Sequence, residues 1–353
     1  MGSSKTYKAV HLANRPKDHI TPETFTVKEH ETPSTSSLKD GEVLYQPNYL
    51  SLDPAMRGWL NDSRSYIPPV KIGAIMRGNG VGTILESRSP QCNKGDIVHA
   101  HSGWTELAVL KGDQVEPLSL PSNGKMTDML GVLGMPGLTA YFGILDVGRV
   151  KAGDFVVVSG AAGATGSVVG QIAKLKGATV LGIAGSDAKC AWLTQDLGFD
   201  GALNYKSQTF AQDFRAATKQ QLIDVFFDNV GGEVLDLALS RAKEHSRFVM
   251  CGGISQYNTH NAQVQGPRNY LMIVSMRIRM EGFVVFDYAD RYAAARRDLA
   301  KWLGEGKIKR QETILKGGIE KMPEALRSLY QGVNTGKLMV EVHPPQNSGQ
   351  AKL

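Results

Sequence analysis

The sequence predicts an α/β protein that combines a doubly wound parallel sheet with a second, β-rich domain. A chain of 353 residues is too long for one ordinary core, so two domains are expected. Short strand-like segments come first along the chain, and strand-like and helix-like segments alternate after them. The apolar fraction of 42% and the charged fraction of 21% are typical of a globular protein.

The β-rich domain is predicted over residues 1–130 and 311–353. Its strand-like runs are broken by Gly, Pro and Asn, and examples lie at 42–45, 80–85, 96–98 and 104–109. Few long helical patterns interrupt these runs, which indicates a small, irregular barrel. A short helix at 322–331 and a strand at 337–342 follow later, and we expect that strand to return to this domain.

The doubly wound domain is predicted over residues 131–310. Its strands are expected at 155–159, 179–184, 201–203, 223–227, 247–251 and 278–285. Its helices are expected near 165–176, 188–197, 208–218, 232–243, 267–275 and 289–305. Buried strands that alternate with amphipathic helices predict a parallel sheet covered on both faces, and right-handed crossovers make it doubly wound.

The segment 154–170 joins the first strand of this sheet to its first helix through a turn of small residues. Backbone N–H groups and the positive end of the helix face such a turn, which makes it a pocket for a diphosphate. Gly163 would let the backbone approach the pyrophosphate, and Gly166 would let the helix pack close to the strand. Ala161 stands where the strict GxGxxG pattern has its first glycine. The strand before the turn and the helix after it nevertheless favour a dinucleotide site over a flexible glycine loop.

The end of the second strand, at Gly185 and Ser186, indicates which dinucleotide is bound. NAD-dependent enzymes place an acidic residue there to hold the ribose 2′-hydroxyl, and a carboxylate would repel a 2′-phosphate. We interpret Asp187 as the N-cap of the next helix. Lys189 could meet the phosphate, although it could also be an ordinary surface lysine. The segment therefore favours NADPH over NADH.

Charge, cysteine count and hydropathy argue against several other classes of protein. The net charge of +6, from 40 basic and 34 acidic residues, is spread along the chain, whereas nucleic-acid binding calls for a clustered basic stripe. The 3 cysteines are too scattered for a disulfide framework and favour a reducing compartment. Because no apolar leader and no membrane-spanning run are present, we expect a cytoplasmic protein.

The only residues of the β-rich domain that suggest a zinc site are Cys92, His99 and His101. The two histidines alternate on a strand pattern and would face the same side, whereas Cys92 lies in a polar loop before them. This pattern favours two ordinary strand histidines, so we expect no metal. Without a metal to polarise an alcohol, simple alcohol oxidation is disfavoured.

Several segments agree, in order and spacing, with one known family. They include Ser51-Leu-Asp-Pro-Ala-Met-Arg-Gly58, the turn at 160–177, Gly185-Ser-Asp-Ala-Lys189, Asp228-Asn-Val-Gly-Gly232, 251–258 and 332–337. Together they resemble the medium-chain dehydrogenase/reductase superfamily, and more narrowly its zinc-free branch of alkenal double-bond reductases, also called leukotriene 12-hydroxydehydrogenase/prostaglandin reductases. The resemblance covers residues 7–342 and implies a Rossmann domain, a GroES-like catalytic domain, bound NADPH and a homodimer.

The resemblance also implies which residues hold each part of the cofactor. Against the diphosphate would lie Gly163, Ala164, Thr165 and Gly166. The adenosine phosphate side would be bound by Lys189 and Tyr205, beside Gly185 and Ser186. The nicotinamide half would be lined by Asn229, Cys251, Tyr257 and Phe283, with Asn334 reaching it from the other domain.

Three further positions bear on the substrate pocket. Many relatives carry tyrosine where this chain has Ala55, and an aromatic residue is common where it has Ser275. Both departures would widen or reshape the pocket, so the substrate preference of one relative does not transfer to this chain. Arg57 could bind a carboxylate tail of a lipid-like substrate, or it could form a structural salt bridge.

A nicotinamide enzyme without a metal needs an acceptor that is activated by its own carbonyl, such as an α,β-unsaturated aldehyde or ketone. After hydride reaches the β-carbon, the enolate oxygen needs a hydrogen-bond donor and the α-carbon needs a proton. Tyr257 is the predicted catalytic residue, because it follows a strand at the carboxyl edge of the sheet. It could instead pack its loop, and water could supply the proton. Cys251 is expected to be a packing residue and not a nucleophile.

The predicted function is NADPH-dependent, metal-free reduction of the carbon–carbon double bond of enals and enones. A quinone reductase and a reductase dedicated to one secondary metabolite remain alternatives, as does a non-catalytic protein that binds NADPH. We expect the apolar strand around 282–286 to form the homodimer interface, because a free edge strand is otherwise an aggregation risk.

Overall fold

The computed structural model describes residues 6–259 and 263–345. It confirms the predicted fold class, since a parallel sheet stands beside a separate β-rich part. The outer ends of the predicted β-rich domain, 1–5 and 346–353, lie outside the described residues. In the part of the chain that is described, every helix is too short or too polar to span a membrane.

The described residues form fifteen strands and eight α-helices, with short 3₁₀ and π segments between them. The strands are β1 (Thr6–Leu12), β2 (Phe25–Glu31), β3 (Glu42–Ser51), β4 (Gly80–Ser87), β5 (Ile97–Ala100), β6 (Ala108–Lys111), β7 (Val115–Pro117), β8 (Phe155–Val158), β9 (Thr179–Ala184), β10 (Gly201–Asn204), β11 (Ile223–Asp228), β12 (Ala242–Met250), β13 (Arg279–Gly282), β14 (Glu312–Lys316) and β15 (Lys337–Glu341). The helices are α1 (Met135–Phe142), α2 (Ala164–Leu175), α3 (Asp187–Ala191), α4 (Phe210–Ala217), α5 (Gly232–Ser240), α6 (Leu271–Ser275), α7 (Tyr292–Gly304) and α8 (Met322–Tyr330).

The β-rich part consists of the antiparallel hairpin β1–β2 and a seven-stranded sheet. The strand order of that sheet is β14-β15-β3-β4-β5-β7, and β6 also pairs with β3. Its main core joins residues from both ends of the chain: Leu50 and Trp104 pack in one cluster with Leu326 of α8 and Val340 of β15. The last strands and α8 therefore complete the sheet and the core that the first part of the chain begins.

The second sheet is parallel throughout and has the order β10-β9-β8-β11-β12-β13. β8 and β11 are buried along their whole length, which is why β8 is an apolar run and β11 has the apolar centre Val225–Phe227 between two buried aspartates. The chain moves outward from β8 to β10 and then returns to begin again at β11. The strand order therefore reverses between β8 and β11, and ligands bind at the carboxyl edge of such a reversal.

Several elements differ from the sequence-based expectation. The strand expected over 278–285 ends at Gly282, and a 3₁₀ segment covers Val285–Arg291, so the apolar residues 283–286 are not an edge strand. The helix expected over 188–197 is α3 followed by a π turn, Trp192–Asp196. Neither α1 nor β14 was expected.

Candidate functional site

The carboxyl ends of β8 and β11 are tied together by side chains. Ser159, directly after β8, donates its hydroxyl to Asp228 Oδ1 at 2.7 Å. The backbone N–H of Asn229 donates to Ser159 Oγ at 2.8 Å, and its side-chain amide donates to the Ser159 carbonyl at 2.7 Å. These bonds fix the floor of a crevice at the point where the strand order reverses.

The small-residue turn above this floor is shaped to approach an anion. Gly160 has φ +58, a left-handed conformation that glycine adopts without strain. A Cβ on Gly166 would lie 2.4 Å from the Gly160 carbonyl oxygen, so only glycine permits this contact between helix and strand. α2 begins at Ala164, and its N-cap, Gly163, offers no side chain to the amides of the first turn. Those amides and the helix dipole suit a bound diphosphate.

The β-rich part touches this same turn. The N–H of Gly336 donates to the Ala162 carbonyl at 2.8 Å, and Gly336 pairs with Gly163 in an isolated parallel bridge. Asn334 is 9% exposed and donates its side-chain amide to the Gly336 carbonyl at 2.7 Å. Asn334 therefore lies close to the turn, on the opposite wall of the crevice from β8.

The end of β9 carries the residues expected near an adenosine phosphate. The N-cap of α3 is Ser186, whose Oγ accepts from the Lys189 N–H at 3.3 Å, so the expectation that Asp187 caps this helix was wrong by one position. Asp187 instead accepts from the Asn204 side chain at 2.8 Å. The Tyr205 ring closes over Gly185, where a Cβ would lie 3.0 Å from the ring.

Lys189 extends across the crevice to the β-rich part. Its Nζ donates to the Gly332 carbonyl at 2.6 Å. Burial, and secondly the neighbouring ammonium of Lys206, lower the pKa of Lys189. The Lys206 Nζ is 5.9 Å from the centroid of the Tyr205 ring. Two cations and an aromatic ring therefore meet where the end of β9 faces the other part, and a phosphate there would relieve their repulsion.

Tyr257 and Cys251 lie beyond the carboxyl end of β12. The Tyr257 Oη accepts from the Gly253 N–H at 3.1 Å, and a Cβ on Gly252 would lie 2.9 Å from that oxygen. Burial raises the pKa of Tyr257, so the phenol keeps its proton. Burial, with a smaller contribution from Asp228, raises the pKa of Cys251 to about 12. A thiol with that pKa is not a nucleophile near neutral pH.

Asp228 is a site residue that the sequence analysis did not single out. Its Oδ1 accepts the N–H groups of Val230 and Gly231, at 3.0 and 2.9 Å, in addition to the Ser159 hydroxyl. It is fully buried, its Oδ2 has no hydrogen-bond partner among the described residues, and burial raises its pKa. An acid that ends a buried strand directly before Asn-Val-Gly-Gly is the sequence feature that could have identified it.

Phe283 is partly buried against the end of α1. Its ring contacts those of Phe227 and Tyr288, with centroids 6.4 and 6.5 Å apart. A Cβ on Gly143 would lie 2.6 Å from the Phe283 ring. The Phe283 side chain is therefore held next to β11 by its packing against these rings.

A cavity of about 360 Å³ lies beside Tyr257, between the two parts of the chain. It is lined by three segments, 15–17, 57–63 and 256–259. Ala55 precedes these lining residues and packs against the core of the β-rich part. The carbonyl of neighbouring Pro54 accepts the Tyr330 hydroxyl at 2.7 Å. The cavity is a space beside Tyr257 that could hold an acceptor molecule.

Two of the predicted pocket residues are not positioned as expected. Ser275 is exposed at the end of α6, and the next residue, Met276, accepts the N–H of His245 at the amino end of the sheet. That end is opposite to the crevice, so the expectation for Ser275 was wrong. Arg57 is 2% exposed and donates to oxygens of the protein, including the Asp18 carbonyl at 2.8 Å. Its acceptors are carbonyl and amide oxygens, so neither a free carboxylate receptor nor a salt bridge describes it.

The three residues that were weighed as a zinc site, and for which no metal was expected, make other contacts. The His99 and His101 rings lie against each other, with centroids 5.3 Å apart, and burial lowers the pKa of His99 to about 3. Cys92 is buried in the apolar cluster that contains Tyr45 and Val98. Within residues 6–259 and 263–345, three or more His, Cys, Asp or Glu side chains are nowhere grouped as a metal site.

The chain is similar in sequence and overall structure to several known proteins. A family model described as the N-terminal domain of oxidoreductase matches residues 8–118, and one described as zinc-binding dehydrogenase matches residues 164–301. NADPH-dependent curcumin reductase of Escherichia coli (strain K12) is 39% identical over 336 residues, which cover 94% of this chain and 95% of that protein. Prostaglandin reductase 1 of Bos taurus is 42% identical over 306 residues, which cover 86% and 90%. The crystal structure of CurA from Vibrio vulnificus in complex with NADPH has a TM-score of 0.88 and 38% identity, with 96% and 100% covered.

Proposed function

This chain belongs to the medium-chain dehydrogenase/reductase superfamily and to its zinc-free reductase branch, and from that premise we propose that it reduces the carbon–carbon double bond of α,β-unsaturated aldehydes and ketones with NADPH. The observation that carries the proposal is the Tyr257 hydroxyl. It is held by the Gly253 N–H in a partly buried position and keeps its own proton, beside a cavity of about 360 Å³. Such a hydroxyl can stabilise a carbonyl oxygen that gains charge without a metal ion.

The cofactor residues of the proposal follow the length of the crevice. The first-turn amides of α2, at Ala164, Thr165 and Gly166, would hold the diphosphate after Gly163. Lys189 and Tyr205 would hold the adenosine phosphate, next to Gly185 and Ser186. The nicotinamide half would be lined by Asn229, Cys251, Phe283 and Asn334. When bound, NADPH would supply the hydride that reaches the β-carbon of the acceptor.

Tyr257 would act on the acceptor through its hydroxyl proton. The oxygen already accepts one hydrogen bond, from the Gly253 N–H, so its proton is free to be donated. Donation to the carbonyl oxygen of the acceptor would stabilise the enolate, and the same hydroxyl or a water molecule would then protonate the α-carbon. Asp228, which organises the turn from 228 to 231, would keep the neighbouring backbone in place.

The proposal is tested by turnover of NADPH with a panel of acceptors. We expect trans-2-alkenals and conjugated ketones to be converted to their saturated products, and exhaustive chelation to leave the rate unchanged. Naphthoquinones serve as the comparison, because a quinone reductase would use the same cofactor site with flat aromatic acceptors. Quinone turnover without alkenal turnover would reverse the assignment. Tight NADPH binding without oxidation by any acceptor would favour a non-catalytic binding protein.

The proposal includes a homodimer that forms through β13 and α6. β13 is the edge strand of the parallel sheet, and its outer hydrogen-bonding edge pairs with no other described strand. The preceding helix, α6, and its N-cap residue carry exposed apolar side chains: Tyr270 is 58% exposed, Leu271 61% and Val274 72%. A second copy of the chain would cover both the edge and this apolar surface.

Cytoplasmic location is also part of the proposal, since the three cysteines of this protein are free thiols.

The dimer is tested with a charge on α6. Leu271→Asp combined with Val274→Asp should convert the protein from dimer to monomer, because two carboxylates would have to lose water in the interface. Mass photometry or sedimentation velocity measures the change. Ile72→Asp, which changes another apolar residue exposed by 61%, is the matched control and should leave the dimer intact. A wild-type protein that is monomeric at micromolar concentration would contradict the proposed interface.

A further inference from the structure

Arg57 is a buried cation with an unusual set of partners. It belongs to the 3₁₀ segment Pro54–Leu60 of the β-rich part and is 2% exposed. Its guanidinium donates to the carbonyls of Pro16, Lys17 and Asp18 and to the side-chain oxygens of Asn61 and Asn258. All of these acceptors are neutral. Burial lowers the pKa of Arg57, as expected for a cation that no carboxylate compensates.

One of these hydrogen bonds crosses between the two parts of the chain. The Nε–H of Arg57 donates to Asn258 Oδ1 at 3.2 Å. Asn258 directly follows Tyr257, so Arg57 holds the segment that carries the proposed catalytic hydroxyl. The same N–H is shared with the Asp18 carbonyl at 3.1 Å, which anchors it to the loop at 16–18.

The other end of this segment is anchored to the parallel sheet. The Ser255 hydroxyl donates to the Val230 carbonyl at 2.6 Å, and the Ile254 N–H donates to the Asn229 carbonyl at 3.2 Å. The segment from 254 to 258 is therefore fixed to the turn after β11 at its beginning and to Arg57 at its end. Without the hydrogen bond to Arg57, the segment would lose a direct connection to the β-rich part.

The cavity beside Tyr257 depends on the same connection. Arg57, Asn61 and Tyr257 all line it, so a change in the Arg57–Asn258 contact would move one wall of the cavity relative to the other.

Burying the uncompensated guanidinium of Arg57 costs stability, and an apolar side chain of similar volume would fill the space at lower cost. Only the planar fork of arginine reaches acceptors on both sides at once.

We propose that Arg57 is a positioning residue that fixes the Tyr257 segment through Asn258 and does not itself bind the acceptor. This role rests on the enone reduction proposed above. Arg57 fixes the position of the Tyr257 hydroxyl in the crevice, and the hydroxyl donates to the carbonyl oxygen of the acceptor. A displaced donor loses much of its effect on the transition state even when the acceptor and NADPH still bind.

The test uses Arg57→Lys, Asn258→Ala and the double variant in the full-length enzyme. Each single change should lower kcat about tenfold, because each removes the charge-assisted hydrogen bond from Arg57 to Asn258 that orients the donor. The Kd for NADPH should change by less than about twofold. The double variant should be no slower than Arg57→Lys alone, because both changes break the same connection. Arg64→Lys, the same substitution at an exposed arginine of the neighbouring loop, is the control and should keep the wild-type kcat.

A second measurement reports on the segment without any turnover. Amide hydrogen exchange over residues 252–259 should be faster in both single variants than in the wild type and in Arg64→Lys. Because this comparison needs no acceptor, it decides the positioning role even if the enzyme were not an enone reductase. Asn258→Ala removes no buried charge, so it keeps the test valid if Arg57→Lys fails to fold.

Two results would overturn the inference. One is an increase in KM that appears only with acceptors bearing a carboxylate, only in Arg57→Lys, with Asn258→Ala unchanged. Arg57 would then bind substrate directly. The other is a lower melting temperature in both variants with unchanged kcat and unchanged exchange over 252–259. Arg57 would then only stabilise the fold.

Discussion

Tyr257→Phe is expected to lower kcat for enone reduction by about ten- to a hundredfold, with little change in the Kd for NADPH. The change removes the hydroxyl that the Gly253 N–H holds at 3.1 Å and leaves the ring in place. A donor that acts on charge developing in the transition state contributes to kcat and not to ground-state binding. Single-turnover measurement of NADPH oxidation separates the chemical step from product release.

The pH dependence gives an independent check on Tyr257. Burial raises its pKa, so the donating form persists above pH 10, the ordinary pKa of tyrosine. The contribution of Tyr257 should therefore be constant through neutral and moderately alkaline pH and be lost only as the pH rises through the raised pKa. Tyr7→Phe, the same change in β1, is the control. Full activity in Tyr257→Phe would remove this residue from the mechanism.

Lys189→Ala is expected to raise the Kd for NADPH by about ten- to a hundredfold and the Kd for NADH by no more than about twofold. A hydrogen bond between an ammonium and a phosphate contributes about 1.5–3 kcal/mol. The Lys189 Nζ donates to the Gly332 carbonyl at 2.6 Å, and burial, with a smaller contribution from Lys206, lowers the pKa of Lys189. A 2′-phosphate would supply the negative charge that this arrangement lacks, whereas NADH has none at that position.

Fluorescence titration of both cofactors at fixed ionic strength measures this selectivity, because salt screens the phosphate contact. Lys176→Ala, at an exposed lysine after α2, is the matched control and should bind both cofactors normally. Equal losses for NADPH and NADH would mean that Lys189 only supports the fold between α3 and the Gly332 loop. The preference for NADPH would then need another source.

The parallel sheet could be predicted from the sequence because its inner strands are buried on both faces. β9 was predicted with its observed bounds, since Thr179–Ala184 is an apolar run that ends at small residues. β14 was missed because Glu312–Lys316 is only partly buried, with no apolar face of its own. α1 was missed because its faces are nearly all apolar and it contains Pro136 and Gly137, so it lacks helical periodicity.

The candidate site was predictable only in part, for a related reason. Gly166 is recognisable because its close contact with Gly160 leaves no room for a side chain, and Gly163 because it occupies the second glycine position of the GxGxxG pattern. The partners of Arg57 and the position of Ser275 depend on segments that are distant along the chain, and local sequence does not indicate the direction of a side chain. Asp228 had the opposite difficulty: its role is local, but a buried acid is rare and is readily taken for a loop residue.

The position of β15 constrains the order in which the two sheets can be completed during synthesis. This strand is synthesised after all the other described strands, yet it lies between β3 and β14 and pairs Met339 with Ser51. A nascent chain that has emerged as far as β13 contains all the strands of the parallel sheet. At that stage β15 has not been synthesised, so the edge of β3 that pairs with it is still free. The part of the chain that is synthesised first therefore completes its sheet after the parallel sheet, and until β15 has emerged it exposes an unpaired strand edge of the kind that chaperones protect.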